Sequence, residues 1–352
     1  MTSLAVAGLT DPRDLPRWRS AGGTHVLVQL GWDVVRPDPH RPAERAVLAE
    51  ARTRLRAVAD EGLQAVLELC LHYPPAHVLD AVEPFVDQHG VPFLDDGVGM
   101  RVRNWVWSAT GRRLVGGFLD DCGEVLAGAP VDRLRIGGGW YGEVHYPPTD
   151  GRRWWAYGPC VQDGADRAWD LGDPPRRGWV PPPGTDPQDP WIDWYVGALG
   201  TWTRWLARRH REAGFAADLH VLHPGWGLRP DQPASAADQA AAAGEDPARV
   251  VAAYADLRGV RPWCTWADGE DQGDDPAHVA PWRALAAVAA RLGVTGAWCE
   301  NAVGANDSPE ASAAALAPVT RGPYTGMMWV TWSHLTEGDG RRLRWLQDAR
   351  VR

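Results

Sequence analysis

Eight short apolar runs, separated by longer helical patterns, constrain the fold of this chain more than any other feature of its sequence. The runs are apolar on both faces, which is typical of parallel strands that are covered by helices. They are Leu4–Leu9, Thr24–Leu30, Gln64–Leu71, Asp132–Ile136, Ala217–Leu222, Val260–Trp266, Val294–Cys299 and Gly326–Trp332.

Helical patterns lie between these runs, for example over Ala43–Glu61, Pro190–Ala213 and Pro276–Leu292. Eight strand–helix repeats in 352 residues predict an α/β protein, a (β/α)8 TIM barrel that forms one domain over residues 1–352. A doubly wound open sheet is the competing fold. It would need a nucleotide-binding motif early in the chain, and none follows the first strand.

Two long insertions interrupt the repeats. One spans about residues 87–110, between strands three and four, and the other spans about residues 143–188, after strand four. In a barrel of this kind the loops after the strands form the catalytic face, and long loops there are usually functional. We therefore expect both insertions to lie on that face.

Composition and charge exclude several functions. All 36 basic residues are arginine, so there is no lysine for a Schiff base, for pyridoxal phosphate or for a phosphate-binding P-loop. A net charge of −9 without a basic run is a poor match for nucleic acid or an anionic membrane. The five cysteines form no C-x-x-C pair, and no histidine pattern indicates a metal site.

The sequence begins without a recognisable signal peptide, and no apolar run is long enough to cross a membrane. We expect a cytoplasmic protein with no cofactor and no metal, and the sequence leaves its oligomeric state open. The glycines Gly137, Gly139 and Gly142 match a dinucleotide-binding pattern, but the residues after them do not form a helix, so this match is weak.

Two glutamates at predicted strand ends carry the main functional hypothesis. Glu143 follows strand four, and Glu300 ends strand seven. These strands lie on opposed parts of an eight-strand ring, so the two carboxyl groups could face each other across the mouth. Glycoside hydrolysis uses such a pair, with one group as general acid and the other as nucleophile or general base.

Three short segments resemble known families. Residues 142–147 (Gly-Glu-Val-His-Tyr-Pro) resemble the Gly-Glu-x-x-Tyr-Pro stretch of β-amylases, and Trp298-Cys299-Glu300-Asn301 loosely resembles their Cys-x-Glu region. The segment Val28–Pro37 resembles the strand-two W-x-x-x-x-P region of β-amylases and family-forty-two β-galactosidases. The resemblance implies a clan A glycoside hydrolase barrel with Glu143 as acid and Glu300 as the second carboxylate. Gly142 stands where retaining members usually carry asparagine, so retaining and inverting stereochemistry both stay open.

The sequence has 21 tryptophans, and many of them fall at predicted strand ends or in the two insertions. A tryptophan offers a flat apolar face and one N–H donor, which suits a pyranose ring. The candidate substrate-binding residues are the tryptophans Trp32, Trp140, Trp266, Trp298, Trp329 and Trp332, with the polar or phenolic side chains Asp33, Arg36, His72, Asn104, Tyr141, His145, His223, Asp268 and Asn301.

These observations predict a glycosidase that acts on a carbohydrate. Core packing is the alternative for each tryptophan, and a loop or capping role is the alternative for each polar residue. A carbohydrate-binding barrel without catalysis, or another barrel hydrolase or isomerase that uses Asp268 or His223 as base, would fit the same pattern.

Overall fold

The chain folds into a closed barrel of eight parallel strands in sequence order, which confirms the predicted (β/α)8 architecture. The computed structural model describes residues 2–40, 42–94, 99–147, 152–224, 241–267, 280–301 and 307–351. The strands are β1 (Ser3–Val6), β2 (His25–Gly31), β3 (Gln64–Cys70), β4 (Arg133–Ile136), β5 (Asp218–His223), β6 (Val260–Cys264), β7 (Trp298–Glu300) and β8 (Gly326–Trp329).

Helices surround the barrel and follow its strands. They are α1 (Leu15–Ser20), α2 (Trp32–Val35), α3 (Arg45–Asp60), α4 (Ala76–Ala81), α5 (Ala109–Leu126), α6 (Pro159–Gln162), α7 (Pro190–Glu212), α8 (Pro247–Tyr254), α9 (Pro281–Arg291), α10 (Pro309–Ala315), α11 (Ala317–Thr320), α12 (Trp332–Thr336) and α13 (Arg341–Val351). Among the described residues, no helix has both the length and the apolar character that a membrane span requires.

Local sequence explains where the helices begin and end. In α7 and α8 a proline occupies the first turn, and the side chain of the preceding aspartate accepts a backbone N–H hydrogen bond. In α3 the buried residues recur at helical spacing, at Leu48, Ala51, Leu55 and Val58. The helix ends before Gly62, whose φ of +75° no other residue adopts as easily.

Several of the strands that the sequence predicts are longer than those observed, among them β1, which ends at Val6 rather than at Leu9. β7 begins at Trp298 rather than at 294, because Gly296 has a φ of +78° and turns the chain just before it. β6 ends at Cys264 and β8 at Trp329, so Trp266 and Trp332 lie beyond the sheet.

Two sets of side chains alternate along the strands. A small set packs together inside the barrel and includes Trp263 and Trp298, whose ring centroids are 5.2 Å apart. The larger set packs between the barrel and the helices. Gly326 pairs in register with Trp298, and a Cβ at Gly326 would lie 2.2 Å from the indole ring, so only glycine fits beside this tryptophan.

The two insertions contact each other and α7. Ser108 and Arg167 form an antiparallel bridge between them, and Arg112 Nη1 lies 2.6 Å from Asp170 Oδ1 in a largely buried ion pair. Aromatic rings from both insertions pack against α7; these rings and their α7 partners are Trp107, Trp154, Trp191, Trp194 and Tyr195. The insertions are therefore held by buried packing and not only by their ends.

The last residue of β5 belongs to the outer layer. His223 is buried, and its Nε2 lies 2.8 Å from the hydroxyl oxygen of Tyr254 in α8. Burial lowers the pKa of His223 to about 3. The structure thus buries His223 between the barrel and its helices, and this corrects its prediction as a substrate-binding residue.

The buried His223 makes stability dependent on pH. Its folded pKa lies below the unfolded value of about 6.5, so its contribution is complete above that pH and is lost as the pH falls toward 3. We expect the free energy of unfolding to fall by about 1.4 kcal/mol per pH unit from this group.

Urea unfolding at several pH values tests this expectation. His223→Gln should unfold with a shallower pH dependence than the parent chain, because glutamine does not titrate. The exposed His40 provides the control, since His40→Gln should leave the slope unchanged. Equal slopes for the parent chain and His223→Gln would contradict the prediction.

Candidate active site

A run of glycines after β4 shapes the turn that carries Glu143. The amides of Gly138 and Gly139 donate to the carbonyls of Gly142 and Glu143, at 3.0 and 2.8 Å. A Cβ at Gly139 would lie 2.4 Å from the Glu143 carbonyl oxygen. The glycine spacing therefore folds the chain back on itself beside the strand end, and no dinucleotide-binding helix follows.

A buried arginine connects two carboxylates inside the barrel mouth. Arg135 on β4 places Nη2 2.8 Å from Glu300 Oε2 and Nη1 3.3 Å from Glu68 Oε2. Glu68 also accepts a hydrogen bond from Gln29, and Glu300 accepts one of 2.9 Å from the indole N–H of Trp263. Glu68 and Arg135 are absent from our sequence-based set, although each is a charged residue inside an apolar run, which is the signal that could have identified them.

The environment of Glu300 shifts its titration. Burial raises its pKa to about 7, the negative charges of Glu143 and Glu68 act in the same direction, and Arg135 and the Trp263 N–H act against them. Geometry links Glu143 to this group as well, because a Cβ at the preceding Gly142 would lie 2.8 Å from Oε1 of Glu68, which shares Arg135 with Glu300.

Two histidines complete this site near Glu143. His145 Nε2 lies 3.2 Å from Glu143 Oε2. Burial by itself lowers the pKa of His145, but the hydrogen bond to Glu143 and the charges of Glu143 and Glu245 outweigh it, so the pKa lies above its usual value. His72 is buried beside Gly142, and burial and Arg135 lower its pKa, although Glu68 and Glu143 oppose them.

Three of the predicted aromatic residues stand at the mouth of the barrel. Tyr141 is 48% exposed and Trp266 is 37% exposed; Tyr73 beside His72, which the sequence did not predict, is 37% exposed. Trp140 is half-buried, with its ring 4.2 Å from Tyr141 and 6.1 Å from His145. The exposed Asp33 belongs to the same rim, because its backbone N–H donates to the Tyr73 carbonyl at 3.0 Å.

Four of the predicted tryptophans are core residues instead. Trp32 stacks on Phe118, and Trp329 packs in the layer between barrel and helices. Trp332 packs edge-on against Trp18 and donates its N–H to Asp14, and Trp298 is enclosed inside the barrel. The exposed fraction of each is at most 5%, so their faces are covered by protein and are not open to a sugar.

Three predicted polar residues have structural partners. Arg36 Nη1 lies 2.6 Å from Asp121 on α5, and Asn104 donates to Glu83 at 3.1 Å within the first insertion. Asn301 accepts from the backbone N–H of Val330 at 3.0 Å, so this contact fastens the end of β8. Asp268 lies outside the described residues.

One group of side chains has the donor atoms of a metal site. Glu68, Cys70 and His72 are buried on β3 and just after it, with donor atoms within 4.8 Å of one another. The Arg135 guanidinium already neutralises Glu68, and a second cation beside it would be repelled. Burial also raises the pKa of the Cys70 thiol well above its usual value, which disfavours a thiolate ligand.

Comparisons with known proteins support the fold. No protein-family model matches the chain, and no curated protein sequence matches it. The structure is similar to the catalytic domain of a β-amylase from Paenibacillus polymyxa, with a TM-score of 0.72 and 17% identity over 99% of this chain and 97% of that one.

Two β-galactosidases, from the Antarctic haloarchaeon Halorubrum lacusprofundi and from the psychrophilic Marinomonas ef1, have TM-scores of 0.63 and 0.64. Their sequences are 15% and 12% identical to this one. Each match covers 99% of this chain, but only 57% and 59% of the two β-galactosidase chains. The resemblance indicated by the short motifs is thus confirmed as a shared barrel fold. At these identities it establishes the fold alone.

The glycine turn should tolerate no side chain at its centre. Gly139→Ala would force a Cβ against the carbonyl oxygens of Glu143 and His145, and we expect the free energy of unfolding to fall by about 1–3 kcal/mol. Gly128→Ala is the control, because a Cβ there meets nothing within 4 Å. Chemical denaturation measures both, and equal stability of the two variants would disprove this account of the turn.

Removal of Arg135 should destabilise the fold, because it leaves two buried carboxylates without a cation. We expect Arg135→Met to lower the free energy of unfolding by about 3–5 kcal/mol at pH 8. The loss should be smaller at pH 5, because burial raises the pKa of Glu300 to about 7, and protonated Glu300 no longer needs a cation.

An exposed arginine supplies the comparison. Arg45 pairs with Glu124 on the surface, and Arg45→Met should reduce stability by at most about 1 kcal/mol at either pH. If Arg135→Met cost no more than Arg45→Met, Arg135 would not be the link between the two carboxylates.

Proposed function

We propose that this protein is a glycoside hydrolase in which Glu143 and Glu300 act on either side of the scissile bond. The observation that supports this most directly is the placement of the pair: Glu300 ends β7, and Glu143 lies in the turn after β4 beside Glu68, which shares Arg135 with Glu300. Their partners differ, since Glu143 faces His145 and Glu300 faces Arg135 and Trp263. Unequal surroundings are what a division between acid and nucleophile or base requires.

Glu300 is suited to act as the nucleophile or the general base. Arg135 and Trp263 both donate to its Oε2 and oppose the effect of burial, which raises the pKa of Glu300 to about 7, so the carboxylate form prevails above neutral pH. Within the described residues Oε1 has no hydrogen-bond donor, which leaves one oxygen for an anomeric carbon or a water molecule. Burial keeps this carboxylate poorly solvated and therefore reactive.

Glu143 is suited to act as the general acid. Proton donation to a leaving oxygen makes Glu143 negative, and the hydrogen bond from His145 stabilises that charge as it forms. In a retaining reaction the same group would then remove a proton from water, and in an inverting reaction Glu300 would activate the water directly.

The exposed rim offers contacts for a sugar. Tyr73, Tyr141 and Trp266 present aromatic surface to solvent at the mouth, and Asp33 adds a hydrogen-bonding carboxylate. Aromatic faces stack on the C–H faces of pyranose rings, so we infer a pyranoside substrate. The buried His72 would contact only the sugar ring that binds deepest in the barrel mouth.

Aryl glycosides with leaving groups of different acidity test the two roles. We expect Glu143→Gln to reduce kcat/KM at least about 100-fold for a phenyl glycoside and far less for a dinitrophenyl glycoside, which needs little acid assistance. Glu300→Gln should abolish hydrolysis of both substrates. The exposed Glu124→Gln is the matched control and should keep full activity.

Product analysis by NMR extends the same experiment. The anomer that forms first distinguishes retention from inversion. Unchanged hydrolysis in Glu143→Gln would refute the assignment. Binding of a sugar without any hydrolysis by the parent chain would favour a carbohydrate-binding barrel instead.

A further inference from the structure

The guanidinium of Arg135 is divided between two carboxyl groups. Its Nη2 lies 2.8 Å from Glu300 Oε2, and its Nη1 lies 3.3 Å from Glu68 Oε2. Its Nε is buried and has no hydrogen-bond partner among the described residues. The cation is therefore held through its two Nη groups, and each of them faces a different carboxyl group.

This division differs from the usual contact between an arginine and one carboxylate. In that contact two parallel N–H groups bind both oxygens, as a bidentate pair. At Glu300 a bidentate pair would place an N–H on Oε1. Instead Arg135 and the Trp263 indole N–H both contact Oε2, and no described residue donates to Oε1. The second N–H of the pair is directed to Glu68.

The sheet fixes Glu68 beside Arg135. Gln29 on β2, Glu68 on β3 and Arg135 on β4 are direct neighbours in the strand register. Glu68 is buried, and its Oε2 also accepts a hydrogen bond of 3.2 Å from the Gln29 amide. The other contact of Nη1 is the uncharged sulfur of Met328 at 3.7 Å, a weak acceptor. Glu68 is therefore the charged partner that holds Nη1.

We propose that Glu68 is a positioning residue that holds Nη1 of Arg135 away from Glu300 and so prevents a bidentate pair over both Glu300 oxygens. The proposal rests on the proposed function, because it explains how Glu300 keeps Oε1 available for an anomeric carbon or a water molecule. Glu68 contacts neither the substrate nor the reacting atoms in this scheme, and it acts through Arg135.

The charges around Glu300 are consistent with a divided guanidinium. Within the described residues, the ionisable groups packed around Glu300 and its partners are Glu68 and Cys70 on β3, His72 after it, Arg135 on β4, and Glu143 and His145 after β4. Burial raises the pKa of Glu300 to about 7, Arg135 lowers it, and Glu143 and Glu68 raise it. Burial also keeps the Cys70 thiol and His72 neutral, because it raises the pKa of the thiol and lowers that of the imidazole.

NMR titration of the full chain with side-chain ¹³C-labelled glutamate tests the proposal without any assay of hydrolysis. Glu300→Gln identifies the signal. In the parent chain Glu300 should titrate well above the usual value of about 4.3. In Glu68→Gln a neutral amide no longer holds Nη1, so Arg135 should bind both oxygens of Glu300 and lower its pKa by at least about one unit. Glu68→Asp keeps the negative charge and should restore most of the parent value.

The matched control is another carboxyl group with limited exposure. Glu83 accepts hydrogen bonds from the Asn104 side chain and the Cys160 amide, and neither belongs to the group around Glu300. Glu83→Gln should leave the Glu300 titration unchanged. An unchanged or raised Glu300 pKa in Glu68→Gln would overturn the proposal. A parent Glu300 that titrates at or below the usual value would overturn it as well, and this result requires no folded variant.

Kinetics supplies the second readout. Glu68→Gln should lower kcat by about tenfold and leave KM nearly constant, because a charge-assisted hydrogen bond would then occupy the reacting oxygen. Activity requires ionised Glu300, so the acid limb of the pH profile of kcat/KM should move to lower pH with the Glu300 pKa. A rise in KM at constant kcat, or an acid limb that does not move, would contradict the positioning role.

The two proposals fail in different ways. If Glu300→Gln kept its activity, the proposed function would fail, while the NMR titration would still report whether Glu68 divides the guanidinium. If the Glu300 titration did not respond to Glu68, the positioning role would fail, while the roles of Glu143 and Glu300 would be untouched.

Discussion

The guanidinium of Arg135 is the contact on which the rest of the site depends. One cation on β4 reaches Glu68 on β3 and Glu300 on β7, and so it ties together strands that lie on different sides of the ring. Buried carboxylates without such a partner would be too costly to keep charged. Arg135 thus lets an otherwise apolar barrel hold a carboxylate at its mouth, and Trp263 and Gln29 complete the polar layer around it.

The tryptophans divide according to the sides of the barrel on which they lie. Trp32, Trp298, Trp329 and Trp332 fill core space, and three tryptophans of the insertions, Trp107, Trp154 and Trp179, pack against α7. The aromatic surface that remains exposed at the mouth is smaller than the sequence predicts, and tyrosine contributes to it as much as tryptophan does. Much of the tryptophan content of this chain therefore serves to pack the core and the long loops.

The periodic part of the structure could be predicted, because apolar runs and helix caps are local signals. Eight strands, the barrel and the strand-end positions of Glu143 and Glu300 follow from them. The sequence could not reveal which face of a strand a side chain occupies where both faces are apolar, which explains the errors for His223 and Trp329. Nor could it show that Arg135 joins Glu68 to Glu300, since these contacts link residues far apart in the chain.

The aromatic contacts between the two insertions and α7 have a consequence for how such a barrel diversifies. Trp154 packs edge-on against Trp191 and Tyr195, and Trp107 packs at a tilt against Trp194, so each loop shares buried surface with one helix. A loop exchanged alone would leave apolar cavities against α7. Loops and helix would have to be inherited, or transplanted into another barrel, as a single module.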